Sequence, residues 1–475
     1  MSNSTFRRVA IAALLGASAG TLSAQRPQLA NAVKTFVSVD ADVVALTNAR
    51  LIDGTGRAPE EGRTVVLRDG AIAAIGGPGT SVPAGARVID LSGKTVIPGL
   101  VMVHEHLYYP TGPGIYGNLT ESFIRLYLAG GVTAMRTGGN MNGYAELNAA
   151  AAVARGEKAG PWIDATAPYL NGPNRFAQMT ALATASEARR FVDFWADQGA
   201  TSFKAYMQIS REVLGAAIEA AHARGLKVTG HLCSVTYAEA ARLGIDDLEH
   251  GFLAATDFVA GKQPDQCPAG GAGQQSIAGL EPDAPAFQAL VDELVRRKVA
   301  VTSTLTVFET FTPGRPVPPG LEVLLPELRT QFEQMHERIQ KSSQSPYATL
   351  FPKNMALELA FARAGGLLLV GTDPTGGGGV IPGFSNQRAI ELLVEAGLSP
   401  VEAIKVGTLN GATYLGRADQ IGSIAVGKQA DLVVIDGNPA ADISEVRKVE
   451  LVFKQGIGYD PAKLIASVSG RVGLF

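Results

Sequence analysis

Two histidines stand two residues apart in "VIPGLVMVHEHLYYP", residues 96–110: His104 and His106. Side chains alternate faces along an extended strand, so residues i and i+2 project together, and Glu105 projects away from both imidazoles. A strand that ends in two imidazoles on one face presents a donor pair suited to a divalent cation. Further groups of this kind fall late in other apolar runs. Lys204 lies in "SFKAYM", His231 closes "KVTGH", His250 closes "DLEH" and Asp373 closes "LLLVGTD". The chain has six histidines. The two outside this set, His222 in "AAHARG" and His336 in "EQMHERIQ", fall in helical patterns and read as surface or packing residues. Four imidazoles and a carboxylate exceed the needs of one tetrahedral zinc ion, so the set can serve two close cations if a group bridges them. Zinc suits these donors, and so do manganese, iron and nickel. As an ammonium, Lys204 would repel cations; carboxylated on Nζ by carbon dioxide, it becomes an anionic bridge. Spacing alone leaves both this and a lysine paired with an acidic neighbour open.

The elements that must position these groups alternate. Apolar strand-like runs cover residues 100–106, 132–137, 162–166, 202–207, 226–231, 247–250, 299–305 and 367–373. Helical stretches such as "REVLGAAIEAAHARG" lie between them, with apolar residues at helical spacing and a terminating glycine. This predicts an α/β chain with a (β/α)8 TIM barrel, a fold whose active sites lie at the C-terminal ends of the strands. The candidate donors end strands one, five, six and eight, and Lys204 sits in strand four. Near both ends of the chain the texture changes to short strands and tight turns. "TVVLRDGAIAAIG" is a hairpin turning at Asp69-Gly70, and "GSIAVGKQADLVVIDG" and "KVELVFKQG" repeat the style. Residues 25–98 and 416–475 are therefore expected to form one small composite β-sandwich around a barrel of residues 99–415.

The 475 residues suit a large domain plus a smaller one, and 46% hydrophobic with 18% charged residues is globular. A net charge of -3 gives no electrostatic case for nucleic acid or an anionic membrane. Residues 1–24 read as a secretory signal peptide: Arg7 and Arg8, an apolar run from Val9 to Leu15, then small residues to Ala24. That run is well short of the ~20 residues of a membrane span. The mature protein is expected to be exported, periplasmic or extracellular, with no span after cleavage. Cys233 and Cys267 are the two cysteines, and such a compartment permits a disulfide between them; as a residue on the face of His231, Cys233 also reads as a small packing residue.

"ARLIDGTG", "GKTVIPGLVMVHEH", "GGVTAMRTGGN", "GLKVTGH", "LEHG", "GTDP", "ELLVEAGLSPVEAIKVGTLNGATYLG" and "IGSIAVGKQADLVVIDGNP" together resemble the amidohydrolase superfamily, its dipeptidase-like and imidazolonepropionase-like branch, over nearly the whole mature chain. The resemblance implies a metal-dependent hydrolase with two divalent ions, zinc foremost. It implies His104 and His106 on the more buried metal, Lys204 as an N-carboxylated bridge, and His231 and His250 on the second metal. Asp373 would bind metal and act as the catalytic general base. Barrels of that kind often associate, so a homo-oligomer is an expectation of the same likeness. Many relatives carry Arg-Asp after strand two where this chain has Arg136-Thr137, and a Tyr or His where it has Cys233. Tyr206, Tyr108 and Tyr109 are candidate substrate-binding or oxyanion-stabilising residues, or wall aromatics. Arg136 is a candidate for gripping a substrate carboxylate, or a partner for a structural acid.

The resulting expectation is an exported amidohydrolase that cleaves an amide bond, in a dipeptide or an N-acyl amino acid. Lactone, carbamate and organophosphate esters are alternative substrates for the same machinery. A non-catalytic exported binding protein on the same scaffold is the alternative of a different class.

Overall fold

The computed structural model describes residues 26–112, 114–173 and 178–475, so the expected signal peptide lies outside the described residues. Eight short strands supply the frame of the site: β1 (Leu100–Glu105), β2 (Val132–Thr137), β3 (Trp162–Asp164), β4 (Ser202–Ala205), β5 (Lys227–Gly230), β6 (Asp247–Glu249), β7 (Ala300–Ser303) and β8 (Leu368–Val370). They pair in parallel, in the orders β3-β2-β1 and β4-β5-β6-β7-β8. Parallel bridges Thr166 to Ser202 and Leu170 to Ala205 join the exit of β3 to β4. At the other seam the N–H groups of Thr372 and Asp373 each donate to the carbonyl of His104 at 3.1 Å. Such strands are buried on both faces, which is why they read as continuous apolar runs and not as alternation.

Helices cover the outside. Arg211–Ala223 forms because Val213, Leu214, Ala217, Ile218 and Ala221 recur at helical spacing and bury one face, while the Ser210 side chain accepts the N–H of Val213. Thr184 with Glu187, and Thr236 with Glu239, cap their helices reciprocally. Phe203, Val228, Leu248 and Val301 of the strands share one buried cluster with Phe252, Phe287 and Phe361.

Both ends of the chain enter one nine-stranded sheet. Its order is Val37–Val39, Ile457–Tyr459, Val449–Lys454, Leu432–Ile435, Thr95–Pro98, Val43–Leu51, Glu60–Arg68 and Ala71–Gly76, with Arg87–Asp90 paired to Val43–Leu51. The hairpin turns at Asp69 and Gly70, with φ of 51° and 81°, the conformation that this dipeptide tolerates. Among the described residues no helix is long and apolar enough to cross a membrane.

Candidate metal centre

The four strand-end imidazoles converge. Ring centroids of His104 and His106 are 5.2 Å apart, those of His104 and His250 4.7 Å, and those of His231 and His250 4.3 Å. Asp373 reaches into the group: Oδ1 lies 3.1 Å from His106 Nε2 and 3.9 Å from His104 Nε2, and Oδ2 lies 3.7 Å from His250 Nδ1. Lys204 Nζ is 3.5 Å from His104 Nε2. All six residues line one cavity of about 200 Å³.

Local backbone geometry makes this possible. His250 and Asp373 both have left-handed φ, 74° and 52°, which is uncommon for residues other than glycine and turns each side chain sharply off the end of its strand. Space around His104 is kept by two glycines. A Cβ on Gly138 would come within 2.4 Å of the His104 ring, and one on Gly371 within 2.5 Å of His104.

These donors suit a divalent cation on four grounds. His104, His250 and Asp373 each present one ligand atom, and these three atoms lie within 4.8 Å of one another. His250 Nδ1 is bonded to Thr304 Oγ1 at 2.9 Å, and its buried Nε2 has no hydrogen-bond partner among the described residues. His106 Nδ1 faces the carbonyl of Gly139 at 3.4 Å; a proton placed there leaves Nε2 as a lone pair in the cluster. Desolvation holds all four imidazoles below their usual range, reinforced at His104, His231 and His250 by neighbouring positive groups; His231 falls to about 3. Neutral imidazole is the form that binds metal. Burial would raise the Asp373 carboxyl, but its contacts with His106, His250 and Thr375 override this and hold it below the carboxylate range.

Glu249 is the residue that sequence reasoning missed. It is fully buried; Oε1 accepts from Arg136 Nη1 at 3.1 Å and from Thr229 Oγ1 at 2.6 Å. Oε2 contacts Lys204 Nζ and lies 3.4 Å from His104 Nδ1. Alternation along β6 puts Asp247 and Glu249 on one face, and two carboxylates on a buried face were the available signal. Burial drives the Lys204 amine well below its ordinary range, against the pull of Asp373.

Two expectations need correction. Arg136 does not line the cavity: its guanidinium donates to Ser202 Oγ, the carbonyls of Val103 and Phe203, Thr229 Oγ1 and Glu249, so it is the partner of a structural acid. Tyr109 turns away from the cavity, and its hydroxyl accepts the N–H of Gly379 at 2.7 Å. Cys233 is joined to Cys267, with Cα atoms 4.9 Å apart, the disulfide that the sequence allowed. Tyr108 and Tyr206 do line the cavity, beside Tyr116, Tyr169, Met141 and Met179, which sequence reasoning had not named.

Comparison with known proteins gives a consistent likeness. Residues 343–457 match the model described as "Amidohydrolase family". Enamidase of Eubacterium barkeri is 39% identical over 95 residues, 19% of this chain and 24% of that protein. Imidazolonepropionase of Clostridium tetani (strain Massachusetts / E88) is 38% identical over 96 residues, 19% of this chain and 23% of that protein. The chain thus spans about a quarter of the length of these curated relatives. The crystal structure of a Xaa-Pro dipeptidase with bound methionine is similar in fold, with a TM-score of 0.66 and 20% identity over 88% of this chain and 100% of that one.

Proposed function

We propose that the chain is an amidohydrolase that cleaves the amide bond of a dipeptide or an N-acyl amino acid, a reading supported by the match of residues 343–457 to the amidohydrolase model and by the likeness to imidazolonepropionase and to a Xaa-Pro dipeptidase. The observation that carries this reading is the convergence of His104, His106, His231, His250 and Asp373 on one cavity. His104, His106, His231, His250 and Asp373 would hold two divalent ions, zinc foremost, with Lys204 between them as an N-carboxylated bridge. The depressed basicity of Lys204 supports that role, since only the neutral amine adds to carbon dioxide. Such ions supply a Lewis acid for the scissile carbonyl and lower the pKa of water at the site. Asp373, ionised throughout the neutral range, accepts the proton of the attacking water and hands it to the departing nitrogen. Behind the cluster, Glu249 Oε2 lies 3.4 Å from His104 Nδ1 and the Gly139 carbonyl 3.4 Å from His106 Nδ1, positions from which each would orient its imidazole.

The closed (β/α)8 barrel and the composite β-sandwich of the two chain ends belong to the same reading, supported by the parallel strand order and the nine-stranded sheet. Export rests on the pattern of residues 1–24 and draws support from the Cys233–Cys267 disulfide, which oxidising compartments favour.

The test is metal analysis of the purified protein together with turnover of dipeptides, N-acyl amino acids, lactones, carbamates and phosphotriesters. Stoichiometric metal and cleavage of amides are expected. Cleavage of esters alone would move the assignment to an ester hydrolase, and neither metal nor turnover would leave the binding protein.

A further inference from the structure

One wall of the cavity is built differently from the rest. Tyr108, Tyr169 and Met179 form a small hydrophobic cluster of their own, with Tyr116, Met141 and Tyr206 packed on it. This cluster touches the imidazoles at two places: the Tyr108 ring stacks on His106 at 4.4 Å, and the Tyr206 ring meets His231 edge-on at 4.9 Å. It therefore begins where the reacting bond must lie.

The hydroxyls of two of these residues are already engaged within the protein, and that of Tyr108 also lies 3.4 Å from His106 Nε2. The hydroxyls of Tyr108 and Tyr169 bond to each other, and Tyr169 donates to the carbonyl of Gly138 at 3.3 Å. The rings of Tyr108, Tyr116, Tyr169 and Tyr206 and the side chains of Met141 and Met179 line the space. The wall is also held in place. Gln178 clasps the Tyr116 backbone, accepting its N–H at 2.9 Å and donating to its carbonyl at 3.0 Å. That clasp ties the hairpin of Tyr108–Gly112 and Ile115–Asn118 to the segment that carries Met179. Aromatic and thioether groups gain most from burying large apolar surface, and methionine adapts to its shape. A cavity of about 200 Å³ is smaller than most small-molecule sites, and leaves room for the amide and one bulky group.

We propose that this tyrosine–methionine wall is a specificity subsite for one bulky apolar group, aromatic or branched aliphatic, next to the scissile amide. The proposal rests on the amide-hydrolase reading and adds its substrate class: amides with one large apolar side chain, in preference to small or polar ones.

The experiment compares N-acetyl-L-phenylalanine and N-phenylacetylglycine with N-acetylglycine, using the metal-loaded enzyme. At least one bulky substrate should exceed N-acetylglycine by roughly tenfold or more in kcat/KM, the scale on which apolar pockets discriminate. Tyr116→Ala and Met141→Ala should each shrink that ratio by about fivefold. Tyr116→Phe should keep it. A purely structural role would lower all substrates alike and leave the ratio unmoved, which would overturn the proposal, as would a wild-type ratio near one. Calorimetric binding of the corresponding amides separates the two readings. Selective binding of the bulky compounds without cleavage would keep the subsite and remove the hydrolase assignment. Neither binding nor cleavage of them would remove the subsite.

Discussion

His106 Nε2 and Asp373 Oδ1 lie 3.1 Å apart, although one leaves the end of β1 and the other the end of β8. An unprotonated imidazole nitrogen and a carboxylate oxygen are both acceptors, so at this distance either a proton on Nε2 or a cation lies between them. That arrangement keeps Asp373 ionised and poised to exchange a proton. Asp373→Asn is expected to lower kcat by roughly 10²- to 10⁴-fold with the fold retained, as seen by circular dichroism. Activity within a factor of a few of the wild type would remove Asp373 from the chemistry.

Arg136 and Glu249 form a fully buried ion pair behind this cluster. Removing one partner of such a pair strands the other charge, so Arg136→Met should cost about 3–5 kcal/mol in denaturant unfolding. Because Arg136 stands outside the cavity, the same variant should lower kcat/KM equally for a substrate with a free carboxylate and for its uncharged amide. A selective loss for the carboxylate would return Arg136 to the substrate site.

The parity of strands made much of this legible in the sequence. Alternation pairs His104 with His106; past the bend at Leu107, Tyr108 stacks on His106 while Tyr109 bonds to Gly379. Alternation pairs Lys204 with Tyr206 in the same way, and both line the cavity. What parity could not reach were residues arriving from irregular segments. Tyr116, Tyr169 and Met179 come from a hairpin and loops where no period marks a face. The fate of Arg136 was hidden for another reason. Its acceptors lie on β1, β4, β5 and β6, far apart in the chain, and only the assembled fold brings them around one guanidinium.

Glu146 is fully buried, and burial pushes its carboxyl up to about 8. The folded protein therefore binds a proton there between about pH 4.5 and 8 that the unfolded chain has released. Stability from this group is complete below the unfolded pKa and is lost as pH rises through the folded one, at about 1.4 kcal/mol per pH unit. Glu146→Gln removes the penalty. The melting temperature of the variant should rise relative to wild type as pH is raised from about 5 to about 8. A difference that does not vary with pH would show that Glu146 does not titrate in this way.

Lys204 contacts Glu249 and sits 3.5 Å from His104 Nε2. If it bridges two ions as a carbamate, its loss should disturb both sites together. Lys204→Ala is expected to drop bound metal from about two ions per chain to one or fewer, measured by plasma emission spectroscopy. Added bicarbonate should promote metal loading of the wild type and have no effect on the variant. Unchanged metal content in Lys204→Ala would remove the lysine from the centre.

Cys233 stands two residues beyond His231, and its bond to Cys267 pins the long segment after β6 against the exit of β5. The bridge closes a loop with a sequence separation of 34, for which unfolded-chain entropy gives about 3–4 kcal/mol of stabilisation. Reduction with dithiothreitol, or replacement of both cysteines by serine, should therefore lower the unfolding free energy by about that amount. Protease cleavage should increase between residues 256 and 271, because this stretch has little regular structure of its own to hold it once the tether is cut. Thiol titration of the unreduced protein after denaturation should find no free cysteine. Two free thiols there, with a melting temperature insensitive to reductant, would show that the tether does not form.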